Sequence, residues 1–257
     1  MDKHFRVEVI SRTPNPQQLI WLSAHQCVCE GPAIDDPCPP EDKAGEYVVK
    51  HLLAGNRGHY SPLEAPQISF NVIGLNHRTM QQITRHRIGV HFSVQSLRYT
   101  GDRFAALGEK FQDGYFNVLK PCTWDDETVQ EVENLYYLRP VGKYTDRDTG
   151  AYEYTKADRD IDLSRCAQTA VWYFEGRQKN KSHEHCAGLL AMDVRQHWVM
   201  SANVRSLMHA LDARTPSNAQ LEAQWLCELI WPHFQEWAPS IASWYEKNRL
   251  GKARLAP

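Results

Sequence analysis

At 257 residues, with 42% hydrophobic and 23% charged side chains, the chain carries enough apolar material for a substantial core and lacks the composition of a disordered segment. A formal charge of −2 and a pI near 6.6 exclude a general electrostatic grip on nucleic acid, so any phosphate is bound locally. No stretch approaches the ~20 apolar residues that span a bilayer, and Met1-Asp2-Lys3-His4-Phe5-Arg6 opens without an apolar leader, which predicts a soluble cytoplasmic protein.

Phe5-Arg6-Val7-Glu8-Val9-Ile10 alternates apolar and polar residues and predicts a first strand, ended by Thr13-Pro14-Asn15-Pro16. Helical spacing follows over 17–27, and the four prolines Pro32, Pro37, Pro39 and Pro40 make 30–40 a loop. Ala44, Tyr47, Val48 and Leu52 set a helical stripe over 41–53, closed by Ala54-Gly55-Asn56-Arg57-Gly58. The alternation over 68–74 predicts a second strand, leading to a helix over 76–87 that delivers Arg85-His86-Arg87 at its C-terminal end. Gly89 to Tyr99 reads as extended and meets a turn signal at Thr100-Gly101.

Between about 120 and 160, a short acidic helix (125–135) and Tyr-rich extended sequence (136–154) read as a hairpin inserted between helices. Beyond Asp158 the pattern is helical over 160–178, 183–191, 198–211, 218–234 and 239–249. Early antiparallel or mixed strands followed by a late helical bundle predict an α+β fold in a single domain over 1–257.

Seven scattered cysteines (Cys27, Cys29, Cys38, Cys122, Cys166, Cys186, Cys227) form no C-x-x-C pair, which suits reduced cytosolic thiols better than a disulfide framework or a zinc site. His183 and His185, two apart, would point to different faces of a helix, and no metal is expected there or at His86 and His91. Trp172, Trp198, Trp225, Trp231, Trp237 and Trp244 sit in helical settings that suit core and subunit-interface packing.

Polar side chains able to hold phosphate concentrate in three segments: His59 to Glu64, Gln81 to Tyr99, and Asn203 to Asn218. An Arg-His-Arg triplet alone reads as a solvated surface cluster. Two guanidinium groups flanking an imidazole at an element boundary are also a ready phosphate grip, with Ser96 and Arg98 close behind. Helical spacing puts Asn203 with Ser206, and Arg205 with His209, on shared faces, while Val204, Leu207, Met208 and Leu211 pack elsewhere and Arg214 follows.

Together these residues resemble the flavin-dependent thymidylate synthases. That family carries Arg-His-Arg, then Ser after seven residues and Arg-Tyr two positions on; here eight residues separate Arg87 from Ser96, with Arg98-Tyr99 behind. A second element of the family appears as Asn203-Val204-Arg205-Ser206-Leu207-Met208 with Arg214, and a third as His59-Tyr60-Ser61-Pro62-Leu63-Glu64. Three ordered motifs cover roughly 40–235.

The resemblance implies an α+β homotetramer with FAD sites shared between subunits, reduced by NADPH, that methylates C5 of dUMP with methylenetetrahydrofolate as carbon donor and no attacking cysteine. It implies that Ser61, Arg85, His86, Arg87, Asn203, Arg205 and His209 line the FAD with His59 nearby, and that Gln82, Arg85, Ser96 and Arg98 hold the nucleotide. Arg214 is the expected catalytic residue, and its chemistry agrees: a guanidinium cannot act as a base at neutral pH, but it stabilises negative charge as the ring N3 ionises.

Two positions depart from the pattern. Val94 stands where the family has an acidic residue, leaving Ser93 or Gln95 as the nearest polar side chains, and Ala187 stands where an Arg reaches the nucleotide phosphate. Losing one bidentate guanidinium costs about 2 kcal/mol or more, so Arg177, Lys179, Lys181 or Arg195 would have to replace it. Smaller departures are Ala65, His209 and Asn218. These leave open a paralogue acting on another pyrimidine nucleotide or nucleoside; a non-enzymatic nucleotide binder is opposed by the near-neutral charge and by Arg214.

Overall fold

Alternating apolar residues build a sheet with one greasy face. The computed structural model describes residues 1–56, 58–112, 123–146 and 148–252; Arg57, Cys122 and the first residues of the inserted segment lie outside them. Strands β1 (Arg6–Arg12), β2 (Gln67–Asn76), β3 (Val90–Val94) and β6 (Arg195–Asn203) form an antiparallel sheet in the order β1-β2-β6-β3. Its register aligns Val7, Val72, Trp198 and Val94 in one row and Val9, Phe70, Met200 and Phe92 in the next. Because side chains alternate between faces, these rows share one side, and Ser69, Ser201 and His91 fall on the other, where Ser69 and Ser201 hydroxyls bond at 2.7 Å.

Helices α1 (Pro16–Gln26), α2 (Glu41–Val48, continued as a π turn over Val49–Leu53), α8 (Val204–Arg214), α9 (Leu221–Trp237) and α10 (Pro239–Asn248) contribute to the core on the apolar face. A second core joins α4 (Asp102–Phe111), α5 (Asp126–Leu135), α6 (Lys156–Gln178) and α7 (His183–Ala187), and the hairpin β4 (Gly142–Asp146) and β5 (Gly150–Tyr154) precedes α6. Helix α3 (His77–Ile83) follows β2 directly.

The α+β class, the first two strands, the acidic helix and the hairpin stand as expected. Four segments differ. The helix expected over 198–211 is strand β6 followed by α8, because the sheet takes Trp198, Met200 and Ala202 onto its apolar face and the Asn203 side chain then caps the new helix, accepting from Ser206 N at 2.8 Å. The strands are therefore not confined to the first half, since β6 lies between β2 and β3. The helix over 76–87 stops at Ile83 and leaves Arg85-His86-Arg87 on a turn, the extended run over 89–99 ends at Val94, and the helix over 183–191 ends at Ala187.

Helix α4 was not foreseen, although Phe104, Leu107 and Phe111 mark a buried stripe. Trp198 and Trp237 are core residues as expected, whereas Trp172 is exposed. The six described cysteines are free. Among the described residues, no helix is long and apolar enough to cross a membrane.

Candidate active site

Two loops meet where β3 begins. Arg85-His86-Arg87 lies between α3 and β3, and Gly89 then enters the strand at φ +65, in the left-handed region open to glycine. Its carbonyl accepts from Asn203 N at 3.2 Å, and a Cβ there would collide with the Ser206 hydroxyl and the Asn203 amide. The arginine turn and the N-terminus of α8 are thus pressed together at a place where no other side chain fits.

At the far end of α8, Arg214 reaches back to the same turn. Its Nε donates to His86 Nε2 at 3.2 Å, and its terminal nitrogens donate to the Gln82 side-chain oxygen at 3.4 Å and the Gln82 carbonyl at 2.9 Å. His209, one turn earlier on α8, meets the His86 ring edge-on at a centroid distance of 5.3 Å. His86 is only 9% exposed, and burial, then the charge of Arg214, then His209 and Arg85, push its pKa down to about 4. It is therefore neutral at pH 7, with its proton on Nδ1, since Nε2 must accept from the guanidinium. Burial first, and then Arg85, also draw Arg214 below its ordinary value, though a guanidinium remains charged.

The third motif joins the same helix. Ser61–Glu64 forms a 3-10 turn, and Glu64 accepts from Arg205 at 2.7 Å while the Arg205 guanidinium stands 5.9 Å from the Tyr60 ring centre. Glu64, Tyr60 and Gly89 are the positioning residues that the sequence reading did not single out; Glu64 and Tyr60 lie inside the quoted motif, but only the fold shows that they face Arg205. Ser61 opens the turn whose Glu64 and Tyr60 face Arg205, and His59 immediately precedes Tyr60.

Ser96 and Arg98 stand apart. The Ser96 carbonyl closes the turn by accepting from Tyr99 N and Thr100 N, and Arg98 lies 3.8 Å from Glu184 on α7. The five-residue strand β3, about 13 Å from end to end, lies between them and the Arg85 turn along the chain. Val94 packs on the main core in register with Trp198, and Ala187 packs on the second core, so neither side chain is placed for a polar ligand. Ser93 is engaged with His91 at 2.9 Å, and the buried Gln95 side-chain oxygen has no partner. Arg195 is ruled out as the replacement for the missing Arg: it is 2% exposed and bound to Asp2, the Glu133 carbonyl and the Gly74 carbonyl.

The donor set fits a flavin dinucleotide. Arg85 and Arg87 are exposed, and neither pairs with a carboxylate among the described residues; Ile88 (88% exposed) and Tyr99 (81% exposed) leave apolar and aromatic surface uncovered beside the arginines. Arg205 fits less freely, since it reaches a phosphate only by sharing or leaving Glu64. Of the three motif segments, only Ser217 and Asn218, at the end of the third, line the cleft of about 710 Å³ between the β4–β5 hairpin and residues 217–224; none of the motif arginines or histidines does. The arginines instead occupy an open face.

Residues 8–240 match the family model described as thymidylate synthase complementing protein. Flavin-dependent thymidylate synthases of Haloarcula marismortui and Halobacterium salinarum are each 30% identical to the chain over 264 and 267 residues, covering 98% of it and 99% and 100% of their own lengths. Among solved structures, thymidylate synthase X of Helicobacter pylori with FAD and dUMP matches with a TM-score of 0.65 at 17% identity, over 95% of this chain and 98% of that one. The UMP/dUMP methylase PolB of Streptomyces cacaoi, bound to 5-Br dUMP, matches with a TM-score of 0.64 at 16% identity, over 98% and 97%. At such identities the structural likeness establishes the fold.

Proposed function

The chain belongs to the flavin-dependent thymidylate synthase family, and from that premise we propose that it converts dUMP to dTMP with FAD as cofactor, NADPH as reductant and methylenetetrahydrofolate as carbon donor. The observation that carries this reading is the Arg214–His86–Gln82 cluster, which prepares a charged guanidinium on a rigid helix end. Three of its five N–H groups are engaged, which leaves two for a substrate.

Arg214 is the catalytic residue in this reading. Fixed by a neutral His86 and by Gln82, it needs no reorganisation when negative charge develops at N3 of the uracil ring, and such preorganised donors contribute most where water is excluded. Arg85, His86, Arg87, Asn203, Arg205 and His209, with Ser61 and His59 nearby, are the residues that would hold FAD; Gln82, Arg85, Ser96 and Arg98 would hold the nucleotide. When bound, FAD supplies the redox chemistry that carries reducing equivalents from NADPH to the pyrimidine.

The separation of Ser96 and Arg98 from the Arg85 turn supports a homotetramer in which one chain brings Ser96 and Arg98 to the arginine turn of another. The uncovered Ile88 and Tyr99 are consistent with such a contact. Free thiols at exposed Cys27 and Cys38 favour a cytoplasmic setting. A second reading, methylation of a different pyrimidine nucleotide, is favoured by one observation: α7 offers Ala187 in place of a guanidinium and Arg195 is buried.

The test is anaerobic NADPH oxidation by the FAD-loaded protein with dUMP, UMP or dCMP, followed by chromatography for the methylated product. Formation of dTMP dependent on methylenetetrahydrofolate supports the first reading. Turnover of UMP or dCMP in preference to dUMP selects the second, and absence of flavin binding removes both.

A further inference from the structure

The loop between α1 and α2 carries three thiols that the active site does not use, and it folds one of them onto a histidine and a carboxylate. His25 Nε2 lies 2.6 Å from Asp36 Oδ2, and the ligand atoms of His25, Cys29 and Asp36 are all within 4.8 Å of one another. The helix end and the loop hold them in place, with the Asp36 amide donating to the Ala33 carbonyl at 3.3 Å. Trp21 stacks on the His25 imidazole at 4.7 Å and 16°, fixing the ring plane from one turn earlier on α1. The amides of Val28 and Cys29 donate to the His25 carbonyl at 2.9 and 3.1 Å, which curls the chain over the helix end. Gln26 closes the loop from inside: it accepts from Ala33 N at 3.0 Å and donates to the Gly31 carbonyl at 3.3 Å. The short turn Ala33–Asp35 then returns Asp36 to His25.

We propose that His25, Cys29 and Asp36 bind one divalent transition-metal ion, zinc being the metal that this donor set favours. One imidazole nitrogen, one thiolate and one carboxylate suit a borderline cation, whereas calcium and magnesium take oxygen ligands. Zinc–ligand bonds of about 2.0–2.3 Å place tetrahedral ligands about 3.3–3.8 Å apart, so His25 and Asp36 need to separate by only about an ångström. Cys29 Sγ gives up its bond to the Gly31 carbonyl, 3.2 Å away, when the metal displaces its proton. The fourth position is left to water, because the ligand atoms that lie within 4.8 Å of one another are those of His25, Cys29 and Asp36 and not the thiols of Cys27 or Cys38.

Binding releases the Cys29 thiol proton to solvent and moves the imidazole proton, which Nε2 donates to Asp36 in the metal-free loop, to Nδ1 by exchange with water, so that Nε2 is free to ligate and thiolate and carboxylate together neutralise the ion. The ion would clip the proline-rich loop to α1, the helix that packs on α2 and on the Ser61–Glu64 turn. Sequence spacing conceals the cluster, since Asp36 lies 11 residues beyond His25. The proposal does not depend on the methyl transfer.

The full-length protein, stripped with a chelator and kept reduced without thiols, is titrated with Co²⁺. One equivalent should bind per chain with a thiolate-to-cobalt charge-transfer band in the near ultraviolet, and Zn²⁺ should displace it. Cys29→Ser should abolish the band, and His25→Ala and Asp36→Asn should weaken Co²⁺ binding by more than about 100-fold, since even outer-shell changes cost up to that much. Cys27→Ser and Cys38→Ser should leave both unchanged. Thermal unfolding provides a second reading, with Zn²⁺ raising the transition of the unsubstituted chain and not that of Cys29→Ser. The proposal is overturned if no stoichiometric band forms, if the band survives Cys29→Ser, or if Cys27→Ser or Cys38→Ser removes it.

Discussion

Replacing Gly89 with alanine tests whether the arginine turn and α8 are one unit. Two costs add. A side chain at φ +65 occupies the left-handed region, a penalty of roughly 1–2 kcal/mol for an L residue. The new Cβ also stands 3.1 Å from Asn203 Cγ and overlaps the Asn203 amide and Ser206 hydroxyl, so Asn203 must leave its capping position on α8, a loss of about 1 kcal/mol. The sum is about 2–3 kcal/mol, read by urea unfolding at fixed protein concentration. Because the second cost passes through Asn203, the double variant with Asn203→Ala should lose about 1 kcal/mol less than the two single losses added together. FAD affinity should fall in Gly89→Ala as well, since the arginines and Asn203 move apart. A Gly89→Ala protein within about 0.5 kcal/mol of the unsubstituted chain, in the range of an ordinary surface change, would refute the reasoning.

Arg214→Lys keeps the charge but removes the planar fork held by His86 and Gln82, so kcat should drop about 100-fold or more in dUMP-dependent NADPH oxidation; an unchanged kcat would dismiss Arg214 as the charge stabiliser. His86 binds its proton less readily folded than unfolded, near 4 against 6.5, so the unfolded chain holds more protons between those values and stability rises with pH across that window. At 1.36 kcal/mol per unit the effect approaches about 3 kcal/mol, and His86→Gln should flatten the slope of unfolding free energy between about pH 4 and 6.5; equal slopes would reassign it. Glu64→Gln should change stability by less than about 1 kcal/mol, as the Arg205 pair is solvated. The same variant should bind FAD more tightly in a fluorescence titration, and weaker binding would mean that Glu64 itself holds the cofactor.

Three ordered motifs in the sequence determined the family reading, and the alternation in 68–74 with the stripe in Val204, Leu207, Met208 and Leu211 determined which faces are buried. These features are local: a period of two or of 3.6 residues is set by neighbouring side chains and survives without knowledge of distant partners. The tertiary structure decided what depends on contacts far along the chain. Residues 198–202 could have continued a helix by composition, and became a central strand because β2 and β3 offer hydrogen bonds on both sides. Arg195 looked available for a phosphate and is consumed by Asp2, 193 residues away, and by two carbonyls. Gln82 and Arg214, 132 residues apart, become one contact only when α8 folds back past the arginine turn, and His86 loses its proton affinity only once that fold has buried it. Spacing in sequence carries no such distance information; burial and charge act through space.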